Sequence, residues 1–530
     1  DIAATVGWTG RYENMNNIRV STNGGLVTEN WFDLNASRYT PSSTLQRMEL
    51  LKTGYMGTLS LGWDNYLFLE LTGRQERSST LKDQSFFYPS ANLSFLFTQA
   101  FHMPSWWNYG KLRLSYGIVG NAPETYTANI VYEQGSDNGF TWNTIPSSWG
   151  NADIRPEKKY EYEIGLESKF LNNRLGIDVS YYNNRVKDQI LSTPQPSTSG
   201  VKNVLMNVGE VANHGWDISI SATPILTRDF RWDLTANYGV YKNKVVKLAD
   251  GVPYLEILNS GGSGIKIQAV EGQPMGDIYA QVPQVNENGE YLVSDKGLYL
   301  NQTELQKVGN INPAGVGGLF NSFSYKNVFL DFSIDFRIGG DVINEMNQYA
   351  TAVGLTPESL KYRDTEHGGL SYYYPGDNNS SGIPVQVDPS TGAGPNGEII
   401  YHDGIILPGV VASTGERNTR IIPAGYYYNT TYNWGTEAEQ LTYRHSVFDN
   451  SYVKLRELTI GYQFPEKMIS KLGLGRLSVS VFGRNLFYFY KALKNYDAES
   501  SVGTSWANQA TVGSSTTATR SFGVSLRASF

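Results

Sequence analysis

Along several stretches of this chain apolar and polar residues alternate strictly, the period of strands with one apolar face. In Arg174–Tyr181, Leu175, Ile177, Val179 and Tyr181 alternate with Arg174, Gly176, Asp178 and Ser180. Phe230–Val240 and Val328–Arg337 repeat the pattern, and similar runs lie at Lys111–Tyr116, Tyr160–Phe170, Trp216–Ala222 and Arg476–Val481. Strands of roughly ten residues suffice to cross a bilayer at a tilt. The phase slips within Tyr452–Phe464: Val453 and Leu455 share one parity, whereas Leu458, Ile460 and Tyr462 share the other. The slip predicts a β-bulge near Arg456–Glu457; an ordinary loop is the alternative.

The connections alternate between short and long. Tight turns are predicted at Asp64–Asn65, Asn172–Asn173 and Lys326–Asn327, and somewhat longer ones at Phe101–Gly110, Pro224–Asp229 and Pro465–Gly475. Between them lie polar stretches, roughly 15–53, 76–91, 119–159, 184–213, 241–316, 338–451 and 485–519. Short periplasmic turns opposite long extracellular loops are the mark of an outer-membrane barrel, and this spacing gives about 14 strands. The first is an outward strand near Thr5–Glu13, and the last, Ser521–Phe530, runs toward the short-turn side and ends on an apolar Phe530. A soluble β-sandwich also alternates, but it rarely gathers every long loop at one end. Aromatic residues at the short-turn ends, Trp63 with Tyr66, Trp106 with Trp107, and Phe230 with Trp232, fit interfacial girdles. The fold class expected is therefore all-β, a transmembrane antiparallel β-barrel.

Composition agrees. Charged residues are 18% and aromatic residues 13% of the 530 positions, with 54 glycines for turns and strands. A mean hydropathy of -0.36 is what alternation averages to. No apolar run is long enough for a membrane helix. A net charge of -7 argues against a nucleic-acid partner. With no cysteine, disulfides, thiolate metal sites and cysteine nucleophiles are excluded. The chain starts at Asp1 without a Met or a signal pattern. The expectation is a mature product or a fragment of something longer.

Several motifs resemble those of one family, the SusC/RagA-like TonB-dependent transporters of Bacteroidetes. They are KLRLSYGIVGN at Lys111–Asn121, RPEKKYEYEIGLESKF at Arg155–Phe170 and the paired Asn207–Gly209 and Asn213–Gly215. GNINP at Gly309–Pro313 leads into Tyr325–Asn327 and Gly339–Asp341, and YVKLRELTIGY at Tyr452–Tyr462 into GRNLF at Gly483–Phe487 and Tyr496–Asp497. The likeness runs from about Tyr55 to Phe530. It implies a barrel of about 22 strands closed by an N-terminal plug. Residues 1–530 would then be its C-terminal part, with the plug and about eight strands absent from this chain. It further implies nutrient import across the outer membrane beneath a SusD-like surface lipoprotein acting as a lid, driven by TonB through the absent N-terminal part. The substrate would be an oligosaccharide or glycan; the alternatives are oligopeptide import of the RagA type and a surface adhesin or binding barrel without transport. The resemblance suggests a hinge role for the loops at 119–159 and 184–213.

Loop aromatics are the candidates for contact with substrate or lid: Trp142, Trp149, Tyr372, Tyr373, Tyr374, Tyr426, Tyr427, Tyr428, Trp434 and Trp506. A flat ring stacks on a sugar face, and it suits a protein interface or local loop packing equally. Asp377, Asn379, Ser381, Gly382 and Asp388 are spaced like an EF-hand calcium loop, but Asp stands where the bidentate Glu belongs and no flanking helices are predicted. A solvated turn is the other reading, and a structural calcium is the one cofactor considered. Gly261–Gly264 lacks a strand–helix context for a phosphate. His367–Gly369 lacks a nucleophile elbow. The five histidines do not cluster. Nothing argues for an enzyme, although a secreted carbohydrate-active enzyme with a paired acidic site is the third class weighed.

Overall fold

The structure, a computed structural model, describes residues 1–82, 84–137, 140–260, 264–376, 382–433, 442–470, 473–500, 505–513 and 518–529. Fourteen strands pair as one sheet in chain order. They are β1 (Ile2–Leu26), β2 (Ser37–Trp63), β3 (Leu67–Ser78), β4 (Ser85–Phe95), β5 (Trp107–Asn121), β6 (Glu157–Phe170), β7 (Leu175–Lys187), β8 (Glu210–Leu226), β9 (Phe230–Lys247), β10 (Gly315–Tyr325), β11 (Val328–Ile338), β12 (Tyr452–Gln463), β13 (Arg476–Lys491) and β14 (Ser521–Ser529). Phe530 lies outside the described residues.

The tight turns follow from residue chemistry. Asp64 and Asn65 take φ of 49° and 58°, and Asn172 and Asn173 57° and 64°. Asn and Asp tolerate this left-handed region, whose twist matches that of the flanking strands. The predicted bulge is present. Ile334 pairs with Leu455 and Ser333 with Glu457, leaving Arg456 as the extra residue, and the β12–β13 register slips at the same point.

Two expectations fail at the start of the chain. The stretch 15–53 is not a long loop: β1 and β2 pair from Ile2↔Leu61 out to Leu26↔Ser37, with only 27–36 between them. The ribbon's outer part exposes both faces, and its apolar residues, Ile18, Val20, Leu45 and Leu51 among them, are scattered among polar ones without a sustained alternation. Likewise 76–91 shrinks to 79–84, because β3 and β4 extend into it.

The chain forms two compact units, Asp1–Ile218 with Lys242–Pro253, and Ser219–Tyr241 with Tyr254–Phe530. In each, the fully buried apolar side chains gather mainly in the connections. In the second unit Ile265, Ile267, Ile278, Ile343 and Val447 form one cluster, and Leu298, Ile405, Leu407 and Ile422 another. Two helices, α1 (Glu345–Ala352) and α2 (Ala424–Tyr432), pack there. In the first unit Leu81, Phe86 and Ile154 form a smaller cluster.

Candidate functional site

The strands carry an inverted polarity. On β6, Tyr162, Ile164 and Leu166 are 45%, 47% and 43% exposed, while the intervening Glu161, Glu163 and Glu167 are less so. Val6, Trp8, Tyr55, Leu114 and Tyr116 lie on the same face by register and are also exposed. A water-soluble sheet would cover this face first. The opposite face carries charge in pairs. Arg113 Nη2 lies 2.6 Å from Asp178 Oδ1, and Lys111 Nζ 3.0 Å from Glu167 Oε2. In the second unit Arg484 Nε lies 3.0 Å from Glu457 Oε2.

A second charge cluster sits at the bulge. With Arg456 inserted, Lys454, Arg456 and Glu457 all reach the polar face, which a regular strand would divide between two faces. Arg456 Nε donates to Asp335 Oδ2 at 2.6 Å and its Nη1 to Asn485 Oδ1 at 2.9 Å. Its Nη1 and Nη2 also donate to the two carboxylate oxygens of Glu499, at 2.9 and 2.5 Å. Lys454 Nζ donates to Glu499 Oε2 at 2.5 Å and lies 4.7 Å from the centre of the Tyr488 ring. Burial alone would raise the Glu499 carboxyl, but the hydrogen bonds from Arg456 and Lys454 prevail and bring it down to about 2. The reading of loop aromatics missed this cluster. Its one sequence signal was the phase slip, since Glu499 is 43 residues away from Arg456.

The predicted aromatic candidates divide. Tyr372, Tyr374 and Tyr428 are buried in packing. Tyr372 donates to Asp403 Oδ1 at 3.1 Å and stacks on Tyr401 at 5.5 Å, and Tyr374 meets it edge-on. Tyr428 donates to the carbonyls of Glu358 and Lys361. Trp142 is exposed on a hairpin, 133–137 with 140–144, opposite Gly135, which leaves room for its ring. Trp149 is half-buried, edge-on to Tyr132 at 5.9 Å. Tyr373 and Tyr427 are half-buried. Trp506 borders Gly276, where a side chain would meet its ring. Trp434 lies outside the described residues.

Tyr426 lines a cavity of about 360 Å³ with Tyr374, Lys296, Arg420, Pro384 and Ile422. That is the lower end of ligand-pocket sizes, and the mix of rings, hydroxyls and cations suits a hydroxylated or anionic group.

Of the calcium-loop candidates, Asp377, Asn379 and Ser381 lie outside the described residues. The Asp388 carboxylate is engaged by Ser390, accepting from its N–H at 2.9 Å and its hydroxyl at 2.5 Å; the hydroxyl bond is the main cause of its lowered pKa. Glu398 organises the neighbouring loop. Its carboxylate accepts from the N–H groups of Asn396 and Gly376, in that order the causes holding it at about 2.

His445 stacks on Tyr432 at 4.4 Å, and burial, with Arg444 second, lowers its pKa from 6.5 to about 4. The unfolded chain therefore binds a proton between these values while the folded one does not, so stability falls as pH drops through that window. Moving from pH 7 to pH 5 is expected to cost about 1–2 kcal/mol at this residue. Thermal melts across the range check it: His445→Gln should flatten the dependence.

The family model described as TonB dependent receptor-like, beta-barrel matches residues 3–284. TonB-dependent receptor P3 of Formosa agariphila is 24% identical over 494 residues, covering 85% of this chain and 42% of its own length. TonB-dependent receptor SusC of Bacteroides thetaiotaomicron is 30% identical over 247 residues, covering 43% of this chain and 24% of its own length. The chain thus spans less than half of either relative. Among solved structures, that of the RagAB peptide transporter superposes with a TM-score of 0.66 at 18% identity, over 94% of this chain and 51% of that one.

Proposed function

The chain belongs to the TonB dependent receptor-like β-barrel family and is an outer-membrane protein, and from that premise we propose that it supplies part of the wall and the outer loops of a SusC-like importer. In this reading residues 1–530 are the C-terminal part of the barrel. The plug, the remaining strands and the TonB-contacting segment belong to the rest of the protein, and a SusD-like lipoprotein covers the loops. The substrate is an oligosaccharide.

The observation that carries the reading is the inverted strand polarity. Exposed Ile164 and Leu166 face lipid, and the paired charges of Lys111, Arg113, Glu167 and Asp178 face an aqueous passage. Lipid makes the apolar face favourable, and water solvates the ion pairs opposite. Support for a sugar comes from rings beside hydrogen-bonding groups in the loops, Tyr426 with Lys296 and Arg420 above all.

The test uses cells carrying the full-length protein and its neighbouring lipoprotein. Energised cells are expected to accumulate labelled oligosaccharide and to lose that uptake when a protonophore collapses the proton gradient. Uptake of peptides in place of glycans would overturn the substrate class. Uptake of neither would overturn import.

A further inference from the structure

Several wall cations find their counter-charge within the wall: Arg113 in Asp178, Lys111 in Glu167, Arg484 in Glu457. Lys454 differs. It is 1% exposed, and its carboxylate, that of Glu499, comes from the connection between β13 and β14. Arg456, which already holds Asp335, turns the fork of its guanidinium to the same Glu499. Counting these four groups, the site is neutral with Glu499 in place and carries one net positive charge when it leaves.

Glu499 is not what holds its segment down. Asp497 accepts from the Tyr488 hydroxyl at 2.8 Å, and the Ala498 carbonyl accepts from Asn450 Nδ2 at 2.9 Å. Leu493, Ala507 and Ala510 are anchored in apolar clusters. Withdrawing the Glu499 carboxylate thus needs rotation of one side chain and no unfolding of the connection. The side chains of Arg456 and Glu499 are 30% and 29% exposed, so solvent reaches the pair. The fork of Arg456 matches any planar or tetrahedral oxyanion.

We propose that Lys454 and Arg456 form an anion subsite on the polar face, which Glu499 occupies at rest and a carboxylate or sulfate group of a passing substrate takes over. The subsite rests on the import reading above and narrows its substrate to acidic chains.

A tethered carboxylate outcompetes a dissolved ion because its effective concentration is high, so the test removes the charge of the tether. In the purified full-length protein, Glu499→Gln is expected to bind inorganic sulfate at least ten-fold more tightly than the native protein by calorimetry. Adding Lys454→Met should abolish the gain. Native protein with its lipoprotein should bind an oligogalacturonate more tightly than a neutral oligosaccharide of equal length. A peptide ending in a free carboxylate, compared with its amide, tells whether the anion can come from a peptide instead.

If neutral oligosaccharides bind but Glu499→Gln gains no sulfate affinity and acidic chains bind no better, the subsite is refuted while the import reading stands. If Glu499→Gln does not fold, the native comparison of acidic with neutral chains decides, and equal binding overturns the subsite. Failure of every oligosaccharide and peptide to bind would strike the import reading itself.

Discussion

Leu166→Arg is expected to stop the protein from assembling in the membrane, whereas Glu163→Gln, three residues earlier on the opposite face of β6, should leave assembly intact. Leu166 pairs with Leu112 and Val179 in mid-strand, and all three share the apolar face. An arginine at mid-membrane on the lipid side of a barrel costs about 2–4 kcal/mol, and near an interface much less. A glutamine on the polar side exchanges one hydrogen-bonding group for another. Gel mobility before and after heating reads the outcome, since folded outer-membrane barrels migrate differently from their boiled forms. If Leu166→Arg still shifts on heating and Glu163→Gln does not, the assignment of the two faces is inverted and the membrane reading falls.

Tyr372→Ala is expected to destabilise the loop packing by about 3–5 kcal/mol, as removal of a large buried aromatic usually does. Tyr372 is 1% exposed and loses both its stack on Tyr401 and its bond to Asp403. Leaving the Asp403 carboxylate without that donor adds to the loss. Trp142→Ala, on an exposed hairpin, should change stability by less than about 0.5 kcal/mol. Limited proteolysis of the folded protein distinguishes them: new cuts within 339–451 for Tyr372→Ala, and none for Trp142→Ala. Equal sensitivity would mean that Tyr372 is not the packing residue its environment indicates.

The contrast also explains what was legible beforehand. Strand alternation survives wherever one face meets an apolar medium and the other a polar one, so β5 to β9 and β11 to β14 showed clearly. The Asp-Asn and Asn-Asn turns announced themselves because few other residue pairs accept positive φ. A parity slip betrayed the bulge at Arg456, because a strand side chain has only two sides to choose from. The outer half of the β1–β2 ribbon was missed for the converse reason: both its faces are exposed, and no sustained alternation runs through it. The tyrosines were found as a class but not sorted. Whether a loop ring is buried depends on contacts such as Tyr372 with Tyr401 and Asp403, about thirty residues apart in sequence, and local pattern holds no trace of them. The partnership of Glu499 with Lys454 and Arg456 was hidden likewise.

Since the buried apolar side chains of the described residues lie mainly in the connections while the strands expose theirs, two different solvents govern one polypeptide. Urea or cold, which weaken burial from water, act chiefly on the outer segments. Bilayer thickness and acyl-chain composition act chiefly on the wall. Detergent extraction that preserves the one can therefore leave the other altered, and a single melting temperature would blend two separate events.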